Sequence, residues 1–276
     1  MAIRAILLDF DGTSLQRDQV FISFRNKGAL QRALDRGIDI IPCTGRSADM
    51  LPPQIEADPR IRYWVTSNGG RVLDRQTGEI IYQSLFTPEE SAAICRMYEG
   101  RKIYSEIAAE GKLYVEKEIS DHFDRYYIPP HHVWYLEMGR YIAVEKPSEH
   151  FLANGIGVEK FNIYNVPADM QKPLLDEIQQ TGFVYVSDGA GKDIQVFPER
   201  QKRTNAMEAL FRHLGYGYES VMSIGDSRMD MDMIRNAAIG VAMGNAHPEV
   251  KACADYICAP YDQDGVAEAI EKFLLD

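Results

Sequence analysis

The chain has 276 residues, a length that suits one large domain or two modest domains with a real hydrophobic core. Its formal net charge of −11 argues against binding nucleic acid or an anionic membrane through bulk electrostatics. The four cysteines have no Cys-x-x-Cys spacing and are too sparse for a disulfide framework. No basic leader precedes the first apolar segment, and no apolar run reaches the roughly 18 residues of a membrane span, so we expect a cytoplasmic protein.

The first predicted strand, near residues 3–9, leads into two carboxylates and a glycine, Asp9, Asp11 and Gly12. On an extended segment, side chains two residues apart point the same way, so Asp9 and Asp11 share one face. Two carboxylates so placed repel each other unless a cation or a shared proton compensates, which favours a metal site or acid–base chemistry. The alternative is a surface strand that ends in an ordinary Asp-Gly turn.

A helix near 26–36 precedes the second predicted strand, 38–42, which runs into Thr44 and Gly45. A hydroxyl group and exposed backbone N–H groups beyond a strand are good ligands for phosphate oxygens. The alternative is a common strand-to-helix cap. A third strand is predicted near 62–66.

The middle of the chain has a different hydrophobic pattern, which predicts amphipathic helices and strands of alternating apolar and polar residues rather than short apolar runs. These elements are helices near 88–99 and 168–180, a strand at 112–116, and a hairpin of 183–187 and 193–197 that turns at Asp188-Gly189. The adjacent pair His131-His132 follows two prolines in an expected loop. Because neighbouring side chains face two directions on an extended segment, we do not expect these histidines to share a metal.

Two basic residues, Lys202 and Arg203, open a helical pattern over 203–214. A positive charge at a helix start is mildly unfavourable with the helix dipole, and a nearby anion would explain it. The alternative is a solvated pair of charges.

A further apolar strand, near 220–224, ends in Gly225 and Asp226, and Asp230 follows four residues later. That spacing places both carboxylates on the same side of a helical turn. Together with the first acidic pair, they predict a divalent-metal site. The remaining predicted elements are strands near 238–242 and 255–258 and helices near 229–237 and 264–274.

Strands that alternate with helices at both ends of the chain predict βαβ units and a doubly wound parallel sheet of the α/β class. Ligands of such sheets bind beyond the carboxyl ends of the strands, which is where the motifs lie. We therefore predict a discontinuous core domain, 1–84 and 199–276, with an inserted α+β domain at 85–198.

These residues resemble the haloacid dehalogenase-like phosphohydrolases and, within them, the Cof-type branch with a C2-type cap. The superfamily's four signatures occur in order: Asp-x-Asp-Gly-Thr at 9–13, Thr44, a basic residue at 202–203, and Gly-Asp-(x)3-Asp at 225–230. The branch is further indicated by an Asn-Gly loop at 67–70, by 241–251, which contains Asn245, and by 264–266.

Two positions depart from the family pattern. Cof-type proteins usually have Asn where this chain has Met229. A methionine there cannot replace the amide's hydrogen bonds, so packing or Arg228 would have to hold the loop. We expect the methionine to fill an apolar gap beneath the loop; the alternative is that the chain lacks an amide that would have gripped phosphate. The family's lysine aligns with Arg203 by spacing and with Lys202 by residue type, and either cation could bind phosphate.

The resemblance implies roles for particular residues. Asp9 would be the nucleophile and Asp11 the general acid and base, while Thr44, Gly45 and Lys202 or Arg203 would bind phosphate. Mg²⁺ would be held by Asp9, the Asp11 backbone carbonyl and Asp226. Asp230 and Asn245 would support the site.

The resulting prediction is a Mg²⁺-dependent phosphatase that hydrolyses small phosphate monoesters through an aspartyl-phosphate intermediate. Its partners would be small phosphorylated metabolites, without nucleic acid, membrane or an obligate protein partner. A phosphomutase or phosphotransferase would use the same intermediate and remains the alternative. A phospho-acceptor signalling domain is disfavoured because it would be much shorter and would not need Asp11.

Overall fold

The computed structural model describes residues 2–188 and 192–275. The chain divides into two compact units. The first unit comprises Met1–Gly45, Leu51–Tyr82 and Arg203–Asp276, and the second comprises Arg46–Met50 and Gln83–Lys202.

The strands and helices alternate along most of the chain. The strands are β1 Ala5–Leu8, β2 Asp39–Pro42, β3 Tyr63–Thr66, β4 Arg71–Asp74, β5 Glu79–Gln83, β6 Ser105–Ala109, β7 Lys112–Glu116, β8 Ile142–Val144, β9 Lys160–Ile163, β10 Val184–Asp188, β11 Ile194–Pro198, β12 Val221–Gly225, β13 Ile239–Ala242 and β14 Tyr256–Ile257. The α-helices are α1 Phe24–Asp35, α2 Pro53–Glu56, α3 Pro88–Tyr98, α4 Lys117–Ser120, α5 Pro130–Glu137, α6 Pro147–Asn154, α7 Ala168–Gln179, α8 Arg203–Leu214, α9 Met231–Asn236, α10 Pro248–Cys253 and α11 Gly265–Ile270.

The sheet of the first unit is parallel and has the strand order β14-β13-β12-β1-β2. Leu8, at the end of β1, is in register with Ile224 of β12 and with Pro42 of β2. The chain therefore leaves these three strands at the same edge of the sheet, and the predicted α/β core is confirmed. All four residues of β1 are buried, as expected for a central strand covered on both faces.

The third predicted strand is placed differently from its expected position in the parallel sheet. β3 pairs antiparallel with β4 in a separate sheet of order β3-β4-β5, and a single parallel bridge joins Val65 to Cys43. The chain reverses after β3 because Ser67, Asn68 and Gly69 have φ values of 52°, 56° and 85°. Residues with left-handed backbone turn the chain sharply. The sequence pattern did not predict β4 or β5, the strands that follow this reversal.

The second unit is α+β, as predicted. Its mixed sheet has the order β10-β11-β9-β6-β7-β8. β10 and β11 form the predicted hairpin, although Gly189 of the expected turn lies outside the described residues. α3 begins with a capping box in which Thr87 and Glu90 exchange side-chain and backbone hydrogen bonds, which fixes the start of the helix.

His131 and His132 lie in the first turns of α5 and not in the expected loop. Pro130 occupies the first turn, where a missing N–H leaves no helical hydrogen bond unmade. The predicted helix near 229–237 is also shorter, because Arg228–Asp230 forms a 3₁₀ turn before α9. Among the described residues, no helix combines the length and apolar character needed to cross a membrane.

Candidate active site

Asp9 follows β1 directly and begins a tight loop. Its N–H donates to the Ile224 carbonyl (3.1 Å), and the Phe10 carbonyl accepts hydrogen bonds from the N–H groups of Thr13 and Ser14. The Ser14 hydroxyl donates to the Asp9 carbonyl (2.9 Å). Asp9 is 7% exposed, so the loop fixes a buried carboxylate at the edge of the sheet.

Gly12 lets this loop approach Asp226. Its φ is +74°, and a Cβ atom there would lie 2.4 Å from an Asp226 carboxylate oxygen. Thr13 Oγ1 donates to Asp226 Oδ1 (3.2 Å), and Asn245 Nδ2 donates to the Gly12 carbonyl (2.8 Å). Asn245 Oδ1 accepts from the Tyr261 N–H (3.0 Å). The predicted supporting residue Asn245 therefore ties the loop after β1 to the loop before α11.

Asp9, Asp226 and Asp230 each place a carboxylate oxygen within 4.8 Å of the others. Burial raises the pKa of Asp9 well above its usual value, and the charges of Asp230, Asp226 and Asp11 raise it further. Burial, followed by the charge of Asp230, raises the pKa of Asp226 to about 7. The crowded acids favour a bound cation, since it would stabilise their ionised forms. Carboxylate oxygens are the ligands that Mg²⁺ prefers.

Arg203 begins α8 and is joined to this cluster. Its Nη1 donates to Asp230 Oδ1 (2.8 Å) and to the Met229 carbonyl (2.9 Å), and its Nη2 donates to the Cys43 carbonyl (2.9 Å). The ion pair with Asp230 is nearly buried, with 8% and 1% of the two side chains exposed. Asp230 Oδ2 also accepts from the Ser227 hydroxyl (2.7 Å). Asp230 is therefore held on both oxygens.

The structure distinguishes the two basic residues that the sequence left open. Lys202 is exposed and falls in the second unit, whereas Arg203 falls in the first unit with the acidic cluster. The geometry thus favours Arg203 as the cation of this site.

Thr44 and Gly45 are fixed by backbone bonds to the loop after β3. The Thr44 N–H donates to the Val65 carbonyl (3.0 Å), and the Thr44 carbonyl accepts from the Asn68 N–H (3.0 Å). A Cβ atom at Gly45 would lie 2.9 Å from Asn68 Oδ1. A larger residue at position 45 would have to displace that amide.

Sequence reasoning assigned no role to Thr13, Ser227 or Asn68, although all three lie in quoted motifs. Thr13 holds Asp226, and Ser227 holds Asp230. Asn68 is 8% exposed and has left-handed backbone beside Gly45. The Asn-Gly pair, which favours left-handed turns, was the available signal in the sequence.

Met229 does not fill a buried gap, contrary to expectation. The residue is 37% exposed, and its carbonyl accepts a hydrogen bond from Arg203. Arg228 pairs instead with Glu249 (2.7 Å) on the surface. The loop is held through the Met229 carbonyl and the Asp230 carboxylate.

The sequence matches the model of the haloacid dehalogenase-like hydrolase family over residues 6–270. The chain is similar to the 5-amino-6-(5-phospho-D-ribitylamino)uracil phosphatase YcsE of Bacillus subtilis, with 27% identity over 99% of this chain and 96% of the relative. A second phosphatase of that name and organism, YwtE, is 26% identical over 99% of this chain and 98% of the relative.

Solved structures agree with the sequence matches. The structure of a haloacid dehalogenase-like hydrolase from Bacteroides thetaiotaomicron matches with a TM-score of 0.81 at 25% identity. The match covers 99% of this chain and 100% of that protein's chain. A sugar phosphatase of subclass IIB in the same superfamily has a TM-score of 0.75 at 25% identity and covers 98% of each chain. With the motifs gathered at one edge of a parallel sheet, these matches confirm the resemblance seen in the sequence: the chain belongs to the haloacid dehalogenase-like hydrolases, and it is an enzyme of the Cof-type branch.

Proposed function

We propose that this chain is a Mg²⁺-dependent phosphatase that hydrolyses small phosphate monoesters through an aspartyl-phosphate on Asp9. The phosphatase class agrees with the family and with full-length relatives that carry this activity in their names. The observation that carries the proposal is the meeting of Asp9, Asp226 and Asp230 with Arg203 at the carboxyl edge of the sheet.

The acidic cluster fits a divalent cation. Asp9, the Asp11 backbone carbonyl and Asp226 would hold Mg²⁺, and Asp230 would support them because both of its oxygens already accept hydrogen bonds. A bound Mg²⁺ supplies positive charge that neutralises phosphoryl oxygens and keeps the acids ionised.

Asp9 would attack phosphorus, since a carboxylate held at a fixed position can form a covalent intermediate that splits a difficult hydrolysis into two steps. Asp11 lies two residues away in the same loop and is partly exposed. It would protonate the departing alcohol and then accept a proton from the water that cleaves the intermediate.

Thr44 and Gly45 would bind the phosphoryl oxygens through the Thr44 hydroxyl and the Gly45 backbone N–H, since the Thr44 N–H donates to the Val65 carbonyl. Arg203 would add positive charge while it holds Asp230. Asn245 and Thr13 would keep Asp226 in place.

We further propose that the second unit is the cap domain, within the sequence limits 85–198, and that its residues select the leaving group. The substrate would be a small phosphorylated metabolite, such as a sugar phosphate or a phosphorylated ribityl compound, because those are the substrates named for the similar proteins. We expect a cytoplasmic location, where such metabolites occur.

A phosphotransferase would share every residue named above. The reactions differ in the acceptor, since a phosphatase transfers the phosphoryl group to water and releases inorganic phosphate. Stoichiometric release of phosphate without phosphorylated product would therefore support hydrolysis.

The decisive variant is Asp9→Asn, with Asp232→Asn as a matched control on the exposed surface of α9. An amide is a far weaker nucleophile than a carboxylate, so we expect Asp9→Asn to abolish phosphate release from a panel of phosphorylated metabolites with Mg²⁺. The control should keep wild-type turnover. Normal turnover by a folded Asp9→Asn protein would end the covalent mechanism.

A further inference from the structure

The turn after β3 has a backbone conformation that side chains disfavour. In the described part of the chain, seven residues other than glycine have a positive φ, and among them only Ser67 and Asn68 are buried. These two residues are consecutive, with φ values of 52° and 56°. Strain of this kind persists only where surrounding contacts impose it, and it is concentrated at functional sites.

Residue 68 is an asparagine, although glycine would adopt the same backbone with less strain. Glycine has no Cβ atom and populates positive φ freely, whereas an asparagine there pays a steric cost. The asparagine is also buried, with 8% of its surface exposed, so its side chain is in contact with other parts of the protein. The contacts of the carboxamide therefore explain the residue better than the turn alone does.

The Asn68 carboxamide lies against Gly45. A Cβ atom at Gly45 would lie 2.9 Å from Asn68 Oδ1 and 3.5 Å from Asn68 Nδ2, so the carboxamide occupies the space that a side chain at position 45 would take. The Asn68 N–H also donates to the Thr44 carbonyl (3.0 Å). Asn68 thus contacts Thr44 through its backbone and Gly45 through its side chain.

Gly69 joins the same turn to α8. Its φ is +85°, and a Cβ atom there would lie 2.9 Å from the Arg203 Cα atom. The Arg203 guanidinium donates in turn to the carbonyl of Cys43, the residue before Thr44. The turn, the segment that ends at Gly45 and the start of α8 all belong to the first unit. The turn therefore contacts both groups of residues that would bind phosphate.

We propose that Asn68 is a positioning residue for the phosphoryl group. Its carboxamide holds the Gly45 peptide in the position from which the Gly45 N–H binds a phosphoryl oxygen. This inference rests on the proposed function, under which Thr44 and Gly45 bind that group. Since Asn68 acts through Gly45, its effect concerns the phosphoryl group and not the alcohol of the ester.

The test measures the affinity of Asn68→Gly for inorganic phosphate in the presence of Mg²⁺, by calorimetric titration. Glycine adopts the left-handed backbone and removes only the carboxamide, so the variant should fold, and its Tm without phosphate checks this. We expect the Kd for phosphate to rise roughly three- to tenfold, the worth of one neutral hydrogen bond from Gly45. Lys102→Gly is the matched control, because Lys102 also has a φ of 56° but is exposed. The control should leave the Kd unchanged.

A second variant, Asn68→Asp, keeps the shape of the side chain and adds a negative charge. A carboxylate beside Gly45 repels phosphate, so we expect the Kd to rise roughly tenfold or more. Asn154→Asp adds the same charge at an exposed Asn-Gly pair and should leave the Kd unchanged. If Asn68 only stabilised the turn, Asn68→Asp would change the Tm without changing the Kd, and that result would overturn the proposal.

Kinetics with two esters separate the phosphoryl group from the alcohol. Asn68→Gly should lower kcat/KM by the same factor for glucose 6-phosphate and for glycerol 3-phosphate, because both carry the same phosphoryl group. A loss that depends on the alcohol would contradict the positioning role. If the wild type hydrolyses no ester, the proposed function fails and the phosphate titration decides. Tighter binding by the wild type than by Asn68→Gly then supports the inference, and equal binding, or none in either protein, overturns it.

Discussion

Arg203 holds two other segments of the chain, the loop of Met229 and Asp230 and the end of the strand at Cys43, and the shape of its side chain matters as much as its charge. The guanidinium donates to a carboxylate and to two backbone carbonyls, on Asp230, Met229 and Cys43. A lysine ammonium is a point charge that cannot reproduce this fork of donors. The usual lysine of the family would therefore be a poor substitute in this chain.

We predict that Arg203→Lys destabilises the protein by about 2 kcal/mol, the worth of two lost hydrogen bonds. Urea unfolding would measure this loss. Turnover should fall with it, since Asp230 Oδ1 loses the guanidinium that holds it. Lys202→Ala is the matched control, because Lys202 is exposed and should affect neither stability nor turnover. If the Lys202 variant lost more activity than the Arg203 variant, Lys202 would be the phosphate-binding cation.

At the scale of the element, the turn after β1 depends on a residue without a side chain. Gly12 combines a φ of +74° with an approach to Asp226 that leaves no room for Cβ. Gly78 has nearly the same backbone, with a φ of +76°, but nothing lies within 4 Å of a Cβ placed there. A comparison of alanine substitutions at these two glycines therefore separates the effect of backbone strain from the effect of a collision with Asp226.

We predict that Gly12→Ala loses stability and most activity, while Gly78→Ala loses only the roughly 1–2 kcal/mol of left-handed strain. Thermal melting and the apparent Mg²⁺ affinity would measure the two effects. The first variant should bind Mg²⁺ more weakly because Asp226 is displaced, and the second should bind it normally. Equal Mg²⁺ affinity in both variants would mean that Asp226 is not a ligand.

The strands could be predicted from the sequence where the local hydrophobic pattern agrees with the place that the strand takes in the fold. The buried strands β1, β2 and β12 are each followed within two residues by a motif residue, Asp9, Thr44 or Asp226, and these motifs lie at the carboxyl ends of the strands, as the rule for parallel sheets requires. The residues of β3 look equally apolar, yet Ser67-Asn68-Gly69 reverses the chain into an antiparallel sheet. The hydrophobic pattern of a sequence does not predict a turn of consecutive left-handed residues when only one of them is glycine.

Side-chain partners were less predictable than strands. Spacing pointed to Arg203 and residue type pointed to Lys202, so the sequence left the choice open; it depends on which residue begins α8. Met229 was expected to fill a gap beneath its loop. The loop is instead held through the Met229 carbonyl, and the residue is exposed. Contacts between distant segments decide both cases.

At the scale of the whole molecule, the acidic cluster makes stability depend on pH and metal. Burial and Asp230 raise the pKa of Asp226 to about 7, above the value of about 3.9 in an unfolded chain. Between these two pKa values the folded state binds more protons than the unfolded state. The contribution of Asp226 to stability is therefore present below about pH 4 and is lost as the pH rises through about 7.

We predict that the wild-type protein in EDTA loses stability relative to Asp226→Asn as the pH is raised from about 4.5 to about 7.5. The variant corrects for every other titrating group, and urea unfolding at several pH values would measure the difference. Saturating Mg²⁺ should remove the loss, because a bound cation favours the ionised acids. Parallel pH profiles in EDTA would contradict the raised pKa.

The outer strand β14 bears on how this protein avoids aggregation. The exposed edge of a parallel sheet offers unpaired N–H and C=O groups to another chain, and longer edges offer more of them. β14 spans only Tyr256–Ile257, and Lys272 lies over the Tyr256 ring at 4.1 Å. Another chain would gain few hydrogen bonds there and would have to displace a positive charge, so edge-to-edge association is disfavoured even at high concentration.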